Sequence, residues 1–214
     1  RLEFELAAKQ DGTILGLRGT VTGVLGGAMA TVGMGPVWLA TIICTGPYKI
    51  PNIHLTAKSV ITNRSPYGSY RGWGQPQANL VHERLIELLA RRLDLDRNEI
   101  RKKNFPTPEE FPFFNGSALT YDSGRYADCV DLALAKVQEN GWWDRQEKAR
   151  TEGRSVGIGF SFHVEVTAFG PSKILNLVGL HHAGFDEEVV RMDSTGRVTV
   201  YSGQTELGQG VQTT

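Results

Sequence analysis

The longest uncharged stretch of the sequence, between Arg18 and Lys49, constrains the possible folds more than any other feature. An apolar stretch of this length can cross a membrane as one helix. Here glycines and prolines interrupt the stretch and threonines occupy much of the remainder. Glycine and proline are the poorest helix formers. The sequence therefore predicts buried, glycine-rich backbone in this stretch and no membrane span.

The composition is that of a globular protein with balanced charge. Among 214 residues, 23 basic side chains face 23 acidic ones, so no global field attracts the chain to nucleic acid or an anionic membrane. The sequence has two cysteines, Cys44 and Cys129. They are too few, and too far apart in the sequence, to indicate a disulfide scaffold or a thiolate metal site. This cysteine usage indicates a reducing compartment, the cytoplasm. The chain opens without an initiating Met and stops directly after a glycine-rich loop, so we expect an internal fragment of a longer protein.

Residue patterns along the chain predict an α+β fold. Alternating runs at 2–8 and 13–22 flank an Asp-Gly turn and predict a hairpin. From Gln77 the leucines recur with helical period, which predicts an amphipathic helix with its apolar stripe facing the protein. The remaining predicted strands are 53–62, 156–166, 187–192 and 197–202, and the remaining predicted helices are 96–103, with Asp96 as its cap, 126–140 and 142–151.

The region between residues 84 and 103 is rich in arginine and lysine. Acidic residues such as Glu83 and Glu87 are interspersed with them. Opposite charges at helical spacing are typical of an exposed helix surface with ion pairs. The region therefore predicts such a surface rather than a nucleic-acid site.

Two irregular loops carry residue types suited to ligand binding. In the first, residues 69–77, glycines flank Arg71 and Trp73 ahead of the predicted helix. Such a loop lets backbone approach an anion, which the arginine fork and the helix start can bind. From the residues alone, a tight loop whose arginine caps a strand and whose tryptophan fills the core is the favoured alternative. The second loop, residues 203–210, suits a phosphate or a polar heterocycle.

Five ordered motifs run through nearly the whole chain. They are Gly46-Pro47-Tyr48-Lys49-Ile50-Pro51-Asn52, Tyr70-Arg71-Gly72-x-Gly74-x-Pro76-Gln77, Glu99-Ile100-Arg101-x-Lys103-Asn104-Phe105, Gly170-Pro171-Ser172-Lys173 and Thr205-Glu206-x-Gly208-Gln209-Gly210. Together they resemble the molybdenum-binding large subunit of the xanthine oxidase and aldehyde oxidase family, nearest its aerobic carbon monoxide dehydrogenase-like branch. The resemblance implies mixed sheets with packed helices. It also implies the end of one molybdopterin-binding region in residues 1–117 and the start of a second in residues 118–214.

The resemblance implies roles for individual residues. Arg71 is the implied catalytic residue, which lies beside the molybdenum centre and stabilises charge on the reacting substrate. Trp73 and His163 match substrate-facing positions, although a lone histidine on an alternating strand is more often structural. The implied contacts to the cofactor are Gly72, Leu207, Gly208 and Gln209.

The same resemblance implies cofactors, partners and a reaction. The cofactor is a molybdenum-pyranopterin, as molybdopterin or its cytosine dinucleotide. The implied partners are iron-sulfur (2Fe-2S) and flavin (FAD) subunits or domains in a hetero-oligomer. The implied reaction is hydroxylation of an aldehyde or an N-heterocycle, with water as the oxygen source.

Departures from the family pattern narrow this expectation. Gly72 stands where carbon monoxide dehydrogenases carry a copper-holding cysteine, which argues against carbon monoxide as substrate. Leu39 stands where xanthine enzymes carry a substrate-pairing arginine, which argues against xanthine. The family's catalytic glutamate lies outside these residues and Glu206 is not that base, so this segment alone should be inert. The alternative is a non-catalytic structural or interaction domain that retains the motifs as scaffold.

Overall fold

A computed structural model describes residues 1–29, 33–68, 70–165, 187–204, 208, 210 and 213. The chain divides into two compact units, Arg1–Glu165 and Val166–Thr214. Helices and small sheets alternate along the described residues. The predicted α+β class is therefore confirmed. Within the described ranges, no helix combines the length and apolar composition that a membrane crossing requires.

A mixed sheet begins the first unit. Strands β1 (Leu2–Ala8) and β2 (Ile14–Gly26) form the predicted antiparallel hairpin, and β3 (Ile53–Ile61) runs parallel to β2. The turn between β1 and β2 uses Gly12 at a φ of +82°, a conformation that glycine adopts without a steric penalty. Helix α1 (Gly35–Ile42) packs on one face of this sheet. This helix was not predicted, because glycines and prolines interrupt the stretch of sequence that contains it.

The other helices of the first unit follow the sequence patterns. They are α2 (Gln75–Leu93), α3 (Arg97–Asn104), α4 (Tyr126–Glu139) and α5 (Trp142–Thr151). Between α3 and α4 lie a 3-10 turn, Pro108–Glu110, and a short hairpin of β4 (Phe113–Phe114) and β5 (Thr120–Tyr121). The carboxylate of Asp96 accepts hydrogen bonds from the backbone N–H groups of Asn98 and Glu99 at 2.7 and 2.9 Å, so the predicted cap is confirmed.

Asn104 connects the end of α3 to the opening hairpin. Its side-chain oxygen accepts a hydrogen bond from the Ile14 N–H at 2.9 Å, and its Nδ2 donates to the Gly12 carbonyl at 2.9 Å. Its backbone carbonyl accepts from the Lys49 N–H at 2.7 Å. One buried side chain therefore satisfies a backbone group in the turn and another at the first residue of β2.

The buried face of α2 differs from the predicted leucine stripe. Leu80 is 60% exposed and Leu88 is 45% exposed in the described chain. The buried positions of the helix are Ala78, Val81, His82, Glu83, Ile86 and Ala90. Compared with the predicted orientation, the helix turns His82 and Glu83 toward the protein. These two side chains bind the Phe162 carbonyl and Arg101.

The strand predicted at 156–166 is wrong for residues 156–165, which form no strand with the described residues. The carbonyl groups of alternate residues in this segment instead accept hydrogen bonds from side chains on α2 and α3. These bonds join Ile158 to Arg97 at 2.8 Å, Phe160 to Arg101 at 3.3 Å and Phe162 to His82 at 3.3 Å. An alternating sequence can thus pair with the side chains of helices instead of with another strand.

The described residues of the second unit include an antiparallel hairpin of β6 (Glu188–Met192) and β7 (Val198–Ser202). The Asp193 carboxylate accepts hydrogen bonds from the N–H groups of Thr195 and Arg197 at 2.8 and 3.1 Å, which closes the turn. A hydrogen bond from the Thr195 hydroxyl, together with these backbone hydrogen bonds, holds the pKa of Asp193 below its ordinary value. Both predicted strands are confirmed.

Candidate functional site

The loop before α2 has an unusual backbone. Gly72, Trp73 and Gly74 have φ values of +85°, +43° and +104°. A side chain at Gly74 would bring its Cβ within 2.2 Å of the Pro36 carbonyl oxygen, so only glycine lets this loop lie directly against α1. A positive φ is uncommon for a residue other than glycine, and Trp73 adopts it between two glycines. The loop therefore packs closely against α1 in a conformation that depends on its two glycines.

The ring of Trp73 lies on the backbone at the start of α1. A Cβ built on Gly35 would come within 2.0 Å of the tryptophan Cζ2. The side chain is half-buried, and it is not among the described residues that line the cleft beside Arg71. The predicted substrate contact of Trp73 stays a prediction.

A cleft of about 310 Å³ lies beside this loop. Arg71 and Gly72 border it on one side, and His163 borders it as well. The structure therefore places three of the residues singled out from the sequence around one space. The polar or charged side chains among its described lining residues are Arg71, Gln75, Asn79, His82, His163 and Glu165.

His82 belongs to the wall of this cleft, although sequence reasoning did not select it. Its side chain is 5% exposed. Burial lowers its pKa to about 4 because removal from water disfavours the charged imidazolium. The ring is therefore neutral at neutral pH, and a carbonyl oxygen can only accept, so Nε2 donates to the Phe162 carbonyl at 3.3 Å. A single histidine within a helical stripe gives no sequence signal that distinguishes this role from packing.

A buried charge network joins α2 to α3 next to His82. The Arg101 side chain is fully buried, and its Nη2 lies 2.9 Å from Glu83 Oε2 and 3.0 Å from Glu87 Oε1. The Tyr48 hydroxyl donates to Glu83 Oε1 at 2.5 Å. Burial raises the pKa of Glu83, and the Tyr48 hydrogen bond and the charge of Arg101 oppose that rise. The predicted exposed ion-pair surface is thus wrong for Arg101 and Glu83, which pair inside the protein.

The second candidate loop lies in the second unit. Gly208 and Gly210 both have positive φ, +86° and +85°, which agrees with the sharp turns that a glycine-rich loop makes. Leu207 and Gln209 lie outside the described residues. Their contacts to the cofactor stay predictions.

Comparisons with known proteins agree on one family. A family model described as a molybdopterin cofactor-binding domain matches residues 1–105, and a second with the same description matches residues 132–214. The carbon monoxide dehydrogenase large chain of Hydrogenophaga pseudoflava is 37% identical over 220 residues, which cover 100% of this chain and 27% of that protein. The nicotine 6-hydroxylase large subunit of Paenarthrobacter nicotinovorans is 33% identical, with coverage of 99% and 26%.

A solved structure of a relative has a similar fold. Quinoline 2-oxidoreductase from Pseudomonas putida 86 superposes with a TM-score of 0.81 at 34% identity, over 98% of this chain and 27% of that one. The chain thus spans about a quarter of the length of the relatives it matches. It belongs to the xanthine oxidase family of molybdenum-binding large subunits, of which it represents a segment with molybdopterin cofactor-binding domains.

Proposed function

We propose that the chain is a segment of the catalytic subunit of a molybdenum hydroxylase that oxidises an aldehyde or an N-heterocycle, with water as the oxygen source. The observation that carries the proposal is that Arg71, Gly72 and His163 line one cleft in a chain of this family. Two relatives support the N-heterocycle as substrate, since their names identify a nicotine hydroxylase and a quinoline oxidoreductase.

The residues around the cleft fit an oxygen-rich, anionic cofactor centre. Arg71 supplies a guanidinium, and the side chains of Gln75 and His163 add hydrogen-bonding groups. Gly72 borders the cleft, and a side chain at this position would meet Pro76, since an added Cβ would come within 2.7 Å of its Cδ. When bound, the molybdenum-pyranopterin supplies the two-electron oxidation and the transfer of oxygen from water.

The chain's own residues bind and orient the substrate in this proposal. Arg71 places a permanent positive charge where negative charge develops on the reacting substrate. His163 offers an imidazole that can donate or accept a hydrogen bond. Ile43 and Ala78 give the cleft an apolar side. The proton-abstracting glutamate of the family lies outside these residues.

Carbon monoxide is not the proposed substrate. A cysteine at position 72 would have to adopt a φ of +85° and would meet Pro76. This loop conformation therefore favours glycine over the copper-holding cysteine of carbon monoxide dehydrogenases.

The wider organisation of the enzyme belongs to the same proposal. Electrons leave through 2Fe-2S and FAD groups on partner subunits or domains, in a cytoplasmic hetero-oligomer. Residues 1–117 complete one molybdopterin-binding region and residues 118–214 begin the next. Leu207, Gly208 and Gln209 contact the pyranopterin, as the molybdopterin or its cytosine dinucleotide.

Cofactor analysis of the complete protein tests the proposal. We expect molybdenum and pterin in equal amounts, close to one of each per large subunit. The measurement is elemental analysis of the metal together with fluorescence of the oxidised pterin. A correctly folded native protein with neither component would support the non-catalytic scaffold instead.

Trp73 is where a preference for aromatic substrates is testable. If its ring stacks on the substrate, a Trp73→Ala variant loses about 0.5 to 1.5 kcal/mol of ring interaction, which is roughly a two- to tenfold fall in kcat/KM for an aromatic substrate. A small aliphatic aldehyde should be barely affected. The measurement compares kcat/KM for one substrate of each kind. Equal losses for both, with lower thermal stability, would identify Trp73 as packing against α1.

A further inference from the structure

Two side chains of α2 hold the segment that carries His163. Asn79 Nδ2 donates to the Ser161 hydroxyl oxygen at 2.7 Å, and His82 Nε2 donates to the Phe162 carbonyl at 3.3 Å. Asn79 and His82 are three residues apart and so lie on one side of the helix. They bind the two residues that immediately precede His163.

We infer that Asn79 and His82 are positioning residues, which set the location of His163 across the cleft from Arg71. This inference rests on the proposed function of the cleft. Both residues border the same cleft as Arg71 and His163, and their side chains bind the segment that carries His163. In this inference they act through His163 and not on the substrate directly.

The imidazole of His82 is well suited to this role because its ring is fixed on two sides. The ring lies against the backbone at Gly46, where an added Cβ would come within 2.6 Å of it. The Tyr48 ring meets it edge to face, with ring centroids 5.8 Å apart. Because Gly46 and Tyr48 fix the His82 ring, its Nε2 holds the Phe162 carbonyl in a defined position.

The neighbouring contacts extend the same arrangement along the segment. Arg101 binds the Phe160 carbonyl at 3.3 Å, and its guanidinium lies 5.8 Å from the Phe162 ring centroid. Because Arg101 is itself held by Glu83 and Glu87, the segment rests on a rigid base. Asn79 and His82 fix its last residues before His163, where a small displacement changes the cleft most.

The experiment uses the complete holoenzyme with four substitutions. His82→Leu removes the donor, His82→Gln restores a donor of similar reach, and Asn79→Ala and Ser161→Ala each remove the other hydrogen bond. The exposed His54 on β3 provides a matched control, His54→Leu. The measurements are hydrogen exchange of the amides of residues 161–165, KM and kcat, and the molybdenum and pterin content.

We expect His82→Leu to accelerate exchange at residues 161–165 about three- to tenfold, the size expected for the loss of one hydrogen bond. KM should rise by a similar factor with kcat and cofactor content nearly unchanged, and His82→Gln should restore both readouts. Asn79→Ala and Ser161→Ala should change the exchange rates and KM equally. Because both remove the same hydrogen bond, the double variant should show no larger change than either single variant. His54→Leu should change none of these quantities.

A double-variant comparison separates positioning from general stability. In a His163→Ala background, His82→Leu should raise KM no further, because its effect passes through His163. Additive effects, or unchanged exchange at residues 161–165, would overturn the inference. If His82→Leu does not fold, Asn79→Ala and Ser161→Ala decide by the same criteria, since Asn79 is only partly buried and Ser161 is exposed. A native protein without molybdenum would refute the proposed function, while the exchange measurements would still decide the positioning.

Discussion

Replacing Arg101 by Met is expected to destabilise the first unit by about 3 to 5 kcal/mol, the cost typical of removing one partner from a buried ion pair. The guanidinium has no exposed surface and contacts both Glu83 and Glu87. Without it, the Glu83 carboxylate stays buried beside the Tyr48 hydroxyl with no opposite charge. The Phe160 carbonyl also loses its donor. The loss is therefore much larger than for an exposed arginine.

Native-state hydrogen exchange of the α3 amides in the complete protein measures this effect, because it reports the free energy of local opening. The matched control is Arg92→Ala, whose side chain is exposed at the end of α2 and should change stability by no more than about 0.5 kcal/mol. A cost below about 1 kcal/mol for Arg101→Met would contradict the buried pairing, since exposed ion pairs contribute that little.

Replacing Arg71 by Ala in the complete, cofactor-loaded enzyme is expected to lower turnover by roughly ten- to a thousandfold, the range for removal of one preorganised charge stabiliser. Arg71→Lys should retain part of the rate, because it keeps the charge and loses the planar fork of donors. Cofactor content should not change enough to explain the loss.

Steady-state kinetics, with rates normalised to bound molybdenum, measure this effect. Arg64→Ala is the matched control, because Arg64 is exposed and is not among the described residues that line the cleft. Unchanged turnover in Arg71→Ala with full cofactor loading would remove Arg71 from the catalytic site.

Local signals made much of the fold predictable. The Asp-Gly turn at Gly12 and the cap at Asp96 depend on residues within a few positions of each other, so the sequence contains the whole of their physical cause. The predicted range of α5, 142–151, also agrees with the structure. The loop motif around Arg71 identified one side of the cleft through its resemblance to a known family.

Features that depend on distant partners were not predictable in the same way. Alternation at 156–165 is as compatible with helix side chains as with a neighbouring strand, and the structure shows the former. Arg101 appeared to belong to a solvated helix surface, because its charge pattern does not reveal that Glu83 faces it across a buried contact between helices. Helix α1 was missed because its glycine-rich approach resembles a loop, and the helix depends on packing against Val21 of the sheet.

The hydrogen bonds of Asn104 also have a consequence for the order in which the chain acquires its structure during synthesis. Asn104 lies 90 residues after Ile14, whose N–H it binds. When β1 and β2 leave the ribosome, the Ile14 N–H and the Gly12 carbonyl therefore still lack the Asn104 side chain that binds them in the folded protein. Contacts of such large sequence separation slow folding, because the intervening chain must be closed into a loop first. The beginning of the sheet thus reaches its final form only after the last residue of α3 has been made.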